Sequence, residues 1–595
     1  MLGKGWKATS HFSYYLNRNS QAYYRPNIGL PSFAIENLGT VYSKTASIFS
    51  KETNVLSNTH IDWEKQLGAH TIAATGGFRY SYFSYDDSDL STQYSTKRED
   101  DKNPELSTGN NVYSTVKGTD DVWKSMQWYA SADYNYRNRY FATVSLLAET
   151  NSRFGSEAKD GISMFGTRWA VFPEIHLGWV ASNEKWFPKN SAINYLRINA
   201  GFDVSGNDDI SNYAARTSFN SVRYNYTEIG VQLTNVGNEE IKWETTTKFN
   251  AGLLANLLNN RLSVSFNYFI HNTSDLLALK TFDNPIGGIN HYWTNDGKVR
   301  NTGFEAGISG KPISTREWHL EVGATIGHYK NEVRALANGN YTSSIYGTDN
   351  ILTAVGNPVG MFYGYRTDGV FATTADAMSS GLYMVDETGA RQAFAAGDVI
   401  FRDTNPYNAA GEYAPGQIDE ADRVIIGDPN PDCYGNIFLN LNWKRFTISM
   451  NFNYSLGNDV YNYQRSILNS GSTLYNQQVA EAGHWRYEGQ VTDLPRVNFG
   501  DPMGNNRFSD RWIENGSYLR MKSVMLSYQI PVPESWEAWL QGISVWAEGR
   551  NLLTLTRYTG SDPEFSISNN QLYQGIDCGN IAQGRIFSMG VKINL

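Results

Sequence analysis

The chain has 595 residues, of which 18% are charged and 14% aromatic, with a formal net charge of −9. The charged share lies below the ~25% typical of soluble domains, and so small a net charge over this length gives no argument for nucleic-acid binding. Because a single soluble core stops growing at roughly 250 to 300 residues, this length indicates either several domains or a barrel, which grows by adding strands.

The first residues, MLGKGWKATSHFSYYL, lack the apolar core of a signal peptide. We therefore expect either a trimmed precursor or a start inside a longer protein. No run approaches the roughly 18 consecutive apolar residues of a membrane helix. Two cysteines, Cys433 and Cys578, fall in predicted loops. A disulfide between them and two unpaired thiols both fit the sequence, and we expect unpaired thiols.

Alternation of apolar and polar residues, the pattern of a half-buried β-strand, recurs along the whole chain. The segments lie near 4–15, 44–64, 69–84, 122–136, 139–150, 168–182, 194–205, 241–256, 261–270, 299–310, 318–327, 434–443, 446–456, 518–530, 542–555 and 585–595. The fold class predicted is therefore all-β and antiparallel, with about 16 strands.

The segment FTISMNFNYSL, residues 446–456, indicates what surrounds such a strand. One parity holds only Phe, Ile, Met, Tyr and Leu, and the other only Thr, Ser and Asn. At ~3.3 Å per residue the strand is about 36 Å long and, tilted near 40°, crosses about 28 Å, the thickness of a hydrocarbon layer. Soluble sandwich strands usually alternate over shorter stretches and carry charges on the wet face. The pattern predicts a transmembrane β-barrel whose apolar side meets lipid and whose polar side meets water.

The connections between the predicted strands alternate between short and long. Short turns lie at 136–140, 257–261, 311–317 and 444–445; the predicted external loops are 85–121, 206–240, 271–298, 334–433, 457–517 and 556–584. Short periplasmic turns and long extracellular loops are typical of outer-membrane barrels. Trp318, Tyr454 and Tyr528 near strand ends fit aromatic girdles at the membrane interfaces, although Tyr is also a good strand residue in general.

No catalytic constellation is present in the sequence. There is no His-Glu-x-x-His, no Gly-x-Ser-x-Gly, no phosphate-binding glycine loop and no zinc-spaced cysteine pair. We therefore predict no enzyme activity, no catalytic residue and no cofactor. The scattered histidines, such as His271 and His328, are expected to be lumen or loop residues.

One acidic segment resembles a calcium-binding loop, in which closely spaced Asp and Asn residues and a later acid surround the cation. It runs through Asp403, Asn405, Asp419 and Asp422. The insertion PYNAAGEYAP interrupts the ligand spacing, so we predict no metal site and prefer a solvated acidic loop.

Three predicted loop segments combine aromatic rings with amides: YYRPN (23–27), NHYWTND (290–296) and GHWRYEG (483–489). Such residues could stack on sugar rings and bind hydroxyls, or pack against neighbouring loops, so the substrate-binding residues remain unassigned. Arg520 and Lys522 share a parity that would point outward, near lipid phosphates or simply into solvent.

Several segments resemble the SusC/RagA family of TonB-dependent outer-membrane transporters. The resemblance is carried by GNEEIKWETTTKFNAG (237–252), VRNTGFEAGI (299–308), GDVIFRDTN (397–405), GQIDEADR (416–423), IGDPNP (426–431), GSYLRMKSVMLSYQIP (516–531) and RNLLTLTRYTGSDPE (550–564). It implies a barrel of 22 strands with an N-terminal plug, a leading carboxypeptidase-like domain and a periplasmic segment that engages TonB. It also implies a SusD-like surface lipoprotein as partner and an oligosaccharide, sometimes a peptide, as cargo.

The chain departs from this plan because only the last sixteen strands are recognisable, without a plug or a TonB-contacting segment. We therefore expect the C-terminal part of the barrel of an importer in the Gram-negative outer membrane, surrounded by lipid. The TonB complex would act through the missing N-terminal part. The alternative is a secreted or surface all-β carbohydrate-binding or adhesin protein without transport activity.

Overall fold

The computed structural model describes residues 5–594 except 26–32, 36–38, 42, 95–110, 189–191, 225–227, 337–338, 346–347, 537–538, 565 and 568–569. The chain divides into two compact units. Unit 1 comprises Met1–Trp179, Ala200–Lys248 and Thr273–Asp296, and unit 2 comprises Val180–Asn199, Phe249–Asn272 and Gly297–Leu595.

Sixteen long strands among the described residues correspond one to one with the sixteen predicted segments. They are β1 Trp6–Arg25, β2 Ser43–Leu67, β3 His70–Tyr94, β4 Asn111–Tyr136, β5 Tyr140–Asn151, β6 Thr167–Val180, β7 Ile193–Asn207, β8 Glu244–Leu257, β9 Leu262–Ser274, β10 Lys298–Ser314, β11 Trp318–Ala335, β12 Cys433–Trp443, β13 Phe446–Leu456, β14 Tyr518–Ile530, β15 Gly542–Thr556 and β16 Ile586–Asn594. The alternation of side chains was therefore a sufficient signal for every one of them.

Shorter strands lie between the long ones. They are Phe33–Ile35, Gly39–Val41, Ile162–Met164, Ser218–Tyr224, Glu228–Asn235, Leu277–Ile286, Ile289–Asn295, Tyr341–Ile345, Thr348–Thr353, Met361–Gly364, Thr367–Val370, Tyr383–Val385, Arg391–Ala393, Val399–Phe401, Val424–Gly427, Asp459–Asn462, Ile513–Asn515 and Ile576–Asp577.

Helices are few and short. They are α1 Thr374–Ser380, α2 Tyr463–Leu468 and the 3₁₀ turns Ala181–Asn183, Glu420–Asp422, Val479–Gly483, Asp510–Trp512, Glu534–Trp536 and Gln571–Tyr573. Thr373 caps α1 by accepting a hydrogen bond from the Asp376 N–H, and Gly381 ends it at a φ of 69°. Within the described ranges, no helix is long and apolar enough to cross a membrane.

In unit 1, consecutive long strands pair antiparallel from β1 to β6. The β2–β3 ladder runs without a register shift from Leu67↔His70 to Ser43↔Tyr94. The β4–β5 turn uses Arg137 and Asn138, both at a φ of 53°, a left-handed conformation that suits the twist of a tight hairpin.

In unit 2, consecutive long strands pair antiparallel from β10 to β16. The two-residue turn between β12 and β13 is the predicted Lys444–Arg445, and Lys444 has a φ of 52°. We call the strands β10 to β16 the strand wall of unit 2.

The strand wall has two chemically distinct faces. Ile448 pairs with Leu441 on β12 and with Leu526 on β14, so apolar residues line up across strands. Leu526 and Ile308 remain 47% and 52% exposed. The four buried hydrophobic clusters found among the described residues contain no residue of β10 to β16. An apolar face of this extent with no protein packed over it is suited to lipid.

Aromatic residues form rows at the strand ends joined by short turns. In unit 2, Trp318 stacks on Trp443 with ring centroids 5.2 Å apart, Trp443 on Phe446 at 5.6 Å, and Phe446 meets Tyr528 at 4.7 Å. Two predicted girdle residues, Trp318 and Tyr528, belong to this row, as interfacial aromatic belts require. The third, Tyr454, instead donates a hydrogen bond to the Thr325 carbonyl oxygen at 2.8 Å.

In unit 1, similar aromatic pairs lie near the short turns. The rings of Trp6 and Trp63 are 6.0 Å apart, and those of Tyr136 and Tyr140 are 6.3 Å apart.

Three of the predicted long loops of unit 2 fold together rather than remaining open loops. One cluster packs Ile351, Phe362, Ile426, Tyr461, Trp512 and Ile576. A second packs Tyr365, Phe371, Ala377, Phe394, Val399, Phe401, Ile418 and Met503. We call the described residues of 339–432, 457–517 and 556–584 the loop fold. It has its own core because these segments carry enough apolar residues to bury one.

Some predicted loop boundaries are wrong. The loop assigned to 85–121 is shorter, because β3 continues to Tyr94 and β4 starts at Asn111; its remainder, 95–110, lies outside the described residues. The segment 206–240 contains the hairpin Ser218–Tyr224 with Glu228–Asn235. The segment 271–298 contains the hairpin Leu277–Ile286 with Ile289–Asn295. Residues 85–94 place polar side chains on both faces of the strand, so alternation did not indicate that β3 continues there.

Candidate functional site

The polar face of the strands in unit 2 is the surface that could meet a hydrophilic ligand. Residues of one parity lie on one side of a strand, and the register places Asn301 opposite Asn331 and Glu305 opposite Gly327. Glycines make room on this face for rings of neighbouring strands: Phe438 lies over Gly323, and Tyr434 lies over Gly327. A cavity of about 670 Å³ extends along this face past Ser265, Gly307 and Asn436.

A second cavity of unit 2, of about 400 Å³, has an unusual lining of carboxamides. Seven of its twelve lining residues are Asn250, Asn267, Asn301, Asn331, Asn430, Gln571 and Gln574. The other five are Phe269, His271, Glu305, Tyr329 and Val359. We call it the amide cavity. Strands β8 to β11 supply its wall, and the loop fold supplies Val359, Asn430, Gln571 and Gln574.

Hydrogen bonds fix the orientation of several amides in this cavity. The Val359 N–H donates to Asn331 Oδ1 at 2.9 Å, which leaves Asn331 Nδ2 to donate to Asn301 Oδ1 at 2.7 Å. Asn430 Nδ2 donates to Asp428 Oδ1 at 2.8 Å, so its Oδ1 accepts from the Tyr329 hydroxyl at 3.1 Å. Because a backbone N–H only donates and a carboxylate only accepts, the positions of the oxygen and the nitrogen of each amide are fixed.

Unit 1 contains a cavity of different character, about 510 Å³ in volume. Its lining includes the cations Lys124, Arg168 and Arg216 and the single acid Glu239. Arg168 is oriented by Nε donation to the Ser156 carbonyl oxygen at 3.4 Å.

Some residues of the aromatic segments named as binding candidates pack against neighbouring parts of the fold, whereas Tyr23 and Tyr487 are 51% and 66% exposed. Trp293 of 290–296 packs against the buried cluster around Ile241, and Asn295 donates to the Lys242 carbonyl oxygen at 2.8 Å. In 483–489, Trp485 Nε1 donates to the Ala372 carbonyl oxygen at 3.2 Å. In 23–27, the first three residues end β1, and Pro26 and Asn27 lie outside the described residues.

In the acidic segment 403–423, residues 403–415 are mostly exposed, as predicted for a solvated loop, but Asp422 is buried. The Asp422 carboxylate is fully buried and accepts hydrogen bonds from the backbone N–H groups of Thr404, Asn405 and Asp419 at 2.8 to 3.2 Å. Burial raises the pKa of Asp422, and these hydrogen bonds oppose that rise. Asp403 accepts from the Gly416 N–H at 2.7 Å. The acids hold the chain path together, and no metal-binding group of acids, histidines and cysteines occurs in the part of the chain described.

The prediction that Arg520 points outward is wrong. A β-bulge between Met521 and Ser523 reverses the parity of β14, so Arg520 pairs with Asn453 on the polar face. Arg520 is 2% exposed; it pairs with Asp562, and its guanidinium lies 2.8 Å from Glu564. Lys522, at the bulge, lies 3.1 Å from the same glutamate. Sequence alternation cannot show a bulge, because one inserted residue shifts every later side chain.

Cys433 and Cys578 are not joined in a disulfide. Of the two histidines singled out, His271 lines the amide cavity, and His328 Nδ1 lies 2.6 Å from the Asp432 carbonyl oxygen.

A two-faced antiparallel wall with long folded connections is the architecture of an outer-membrane barrel protein. Residues 2–552 match the family model described as TonB dependent receptor-like, beta-barrel. The chain belongs to this family, which is a family of outer-membrane receptors and transporters, not enzymes. The alternative of a secreted or surface all-β carbohydrate-binding or adhesin protein without transport activity is not supported.

The chain is also similar to individual relatives. It is 26% identical over 566 residues to TonB-dependent receptor P3 of Formosa agariphila, covering 92% of this chain and 52% of that protein. It is 24% identical over 587 residues to TonB-dependent receptor SusC of Bacteroides thetaiotaomicron, covering 93% and 51%. The chain therefore spans about half the length of the curated relatives it matches.

Among solved structures, the fold is similar to that of the RagAB peptide transporter. The TM-score is 0.79 at 20% identity, over 100% of this chain and 60% of that one. The open-open state of the RagAB peptide importer gives a TM-score of 0.81 at the same identity and coverage.

The residues of the amide cavity were missed by sequence reasoning, which searched the loops for aromatic rings. Their signal was present in the strands themselves. The polar parity of VRNTGFEAGI carries Asn301, Gly303, Glu305 and Gly307, a combination of amide, acid and space-giving glycine. The sequence does not show which strands bring such residues together, because this depends on the strand order and register.

Proposed function

We propose that the complete protein imports oligosaccharides or peptides across the outer membrane, with this chain forming most of the barrel wall and its outer loops. The observation that carries the proposal is the two-faced strand wall in a member of the TonB-dependent receptor family. An apolar face turned to lipid and a polar face turned to water allow a hydrophilic solute to pass a bilayer.

We further propose that transport depends on TonB and that a SusD-like surface lipoprotein covers the loop fold. The relatives are named TonB-dependent receptors, and one of them is SusC. The segment 474–499 of the loop fold exposes Leu474, Tyr475, Val479, Val491 and Phe499. Five highly exposed apolar side chains within 26 residues favour a protein partner.

Growth tests this proposal directly. A strain lacking the full-length gene is grown on single oligosaccharides, on peptide mixtures and on their monomers as carbon sources. We expect growth to fail on one oligosaccharide or peptide class and to persist on its monomers. Unchanged growth on every source, or recovery of the protein in the soluble fraction without detergent, would contradict it. A point variant of the TonB-contacting segment should reproduce the deletion.

A further inference from the structure

The lining of the amide cavity offers many hydrogen-bonding groups and almost no charge. This lining bears on the chemical class of the substrate. Of its twelve lining residues, all of them described, Glu305 bears the only full charge at neutral pH if His271 is neutral. No lysine or arginine is among them. An anionic group entering here would find no cation and would be repelled by Glu305.

The amides are matched to hydroxyl groups. Each carboxamide presents donors and acceptors, and each sugar hydroxyl can both donate and accept. The orientation of Asn331 is fixed by the Val359 N–H, and that of Asn430 by the Asp428 carboxylate. Pre-oriented groups lose little freedom when a ligand binds. A cavity of about 400 Å³ is in the size range of small-ligand sites.

Aromatic rings add a surface for the apolar face of a sugar. Phe269 and His271 lie with ring centroids 4.9 Å apart. The Phe269 ring also covers Gly303, where a side chain would collide with it. The absence of a side chain at Gly303 thus allows the ring to approach the wall of the cavity closely.

We propose that the amide cavity binds uncharged sugar units of an oligosaccharide during import. This inference rests on the proposed function and narrows its cargo. An acidic sugar, or the carboxylate end of a peptide, is less suited because it meets no lysine or arginine among the lining residues. The cavity of unit 1 differs in this respect, because its lining includes Lys124, Arg168 and Arg216.

The test is calorimetric titration of the purified full-length protein in detergent with probes of one length. The neutral probes are gluco-, xylo-, manno- and galacto-hexaoses; the charged and peptide probes are hexagalacturonate and hexa-alanine. We expect at least one neutral hexaose to bind, and hexagalacturonate and hexa-alanine to bind at least about tenfold more weakly. If either of the latter binds most tightly, or if no neutral hexaose binds, the proposal is overturned.

Three substitutions locate the binding. Asn267→Leu and Asn301→Leu should each weaken the neutral hexaose about tenfold, the usual effect of losing one neutral hydrogen bond to a ligand. Asn440→Leu is the matched control, since Asn440 lies on the polar parity of β12, opposite Glu321 and Ser449, outside the amide cavity. It should change affinity by less than about twofold. Equal losses in all three variants would overturn the assignment to this cavity.

Charge reversal provides an independent readout. Glu305→Arg should raise affinity for hexagalacturonate at least about tenfold while folding is monitored by heat-modifiable migration. No gain in a folded variant would count against the cavity. If the gene deletion abolishes import but Asn301→Leu binds and imports normally, the cavity proposal fails and the proposed function stands. If the deletion has no effect on growth, the proposed function fails, and calorimetry still decides the cavity.

Discussion

The strand wall and the loop fold of unit 2 are stabilised in opposite ways. In the strand wall, apolar side chains such as Leu526 and Ile308 stay about half exposed, and the strands gain their order from long, regular hydrogen-bonded ladders. In the loop fold, Phe362 and Trp512 are almost wholly buried. The first region needs hydrocarbon as a solvent, whereas the second has a core like that of a soluble domain.

The loop fold and the strand wall also differ in how charged residues are distributed. The loop fold buries carboxylates that are paired with arginines, such as Asp398, which lies 2.9 Å from the partly exposed Arg496. Burial raises the pKa values of its carboxyls Asp459 and Asp501, only partly offset by backbone hydrogen bonds. On the polar face, the parity of β13 carries Thr, Ser and Asn alone. The contrast predicts that the two regions respond to different perturbations.

Removing a core aromatic should break the loop fold and spare the strand wall. Trp512 is 1% exposed, and its indole donates to the Arg507 carbonyl oxygen at 3.2 Å. Trp512→Ala should lower the free energy of unfolding of the loop fold by about 3 to 5 kcal/mol. Hydrogen exchange would show lost protection at Ile351 and Ile576 with β13 unchanged. Trp443→Ala, in the exposed aromatic row, is the control; equal loss in both variants would refute the division.

Removing the buried arginine should free the segment 556–584 from β14. Arg520→Met leaves Asp562, 4% exposed, without its cation. We expect a loss of about 3 kcal/mol, the low end for a broken buried pair, because Lys522 remains near Glu564. Limited proteolysis of this segment measures the effect. Lys522→Met, at a partly exposed pair, should cost less than about 1 kcal/mol; a reversed order would show that the bulge was misassigned.

Adding a charge should distinguish the two faces of the strand wall. Met450 and Asn451 are neighbours on β13 with opposite parity. Met450→Arg should cost about 2 to 4 kcal/mol in lipid vesicles, as for arginine at a bilayer midplane. Asn451→Arg should cost much less, because its side chain faces water. Urea unfolding in vesicles gives both values, and equal costs would be incompatible with a lipid-facing parity.

Acid should loosen the Arg520 contact specifically. Burial alone would raise the pKa of Asp562, but hydrogen bonds from Arg520 and from the backbone of Glu564 and Gln583 outweigh it and hold that pKa below its ordinary 3.8. The stabilisation is therefore complete above the ordinary pKa and is lost as pH falls below it. Proteolysis of 556–584 should increase on acidification in the native protein. In the Asp562→Asn variant, proteolysis of 556–584 should already be faster at neutral pH and should change little on acidification. If this variant kept the acid response of the native protein, Asp562 would be excluded as the source of that response.

Strands were predictable because their signal is local. Eleven alternating residues in β13 define its length and its two faces without reference to any other segment. The orientation of Arg520 was not predictable, because the bulge at Lys522 depends on how β14 pairs with β13 and β15. The core of the loop fold was missed for a similar reason: Ile351, Trp512 and Ile576 come from three separate connections.

The sequence by itself determined the sixteen long strands, the two-solvent character of the strands and the family resemblance, since these depend on residue order and period alone. Only the tertiary structure decided which polar residues converge. The amide cavity joins β8 to β11 with segments near Asn430 and Gln571, far apart in the chain. Such convergence is set by strand register and by the packing of the loop fold, which are long-range properties that no local pattern specifies.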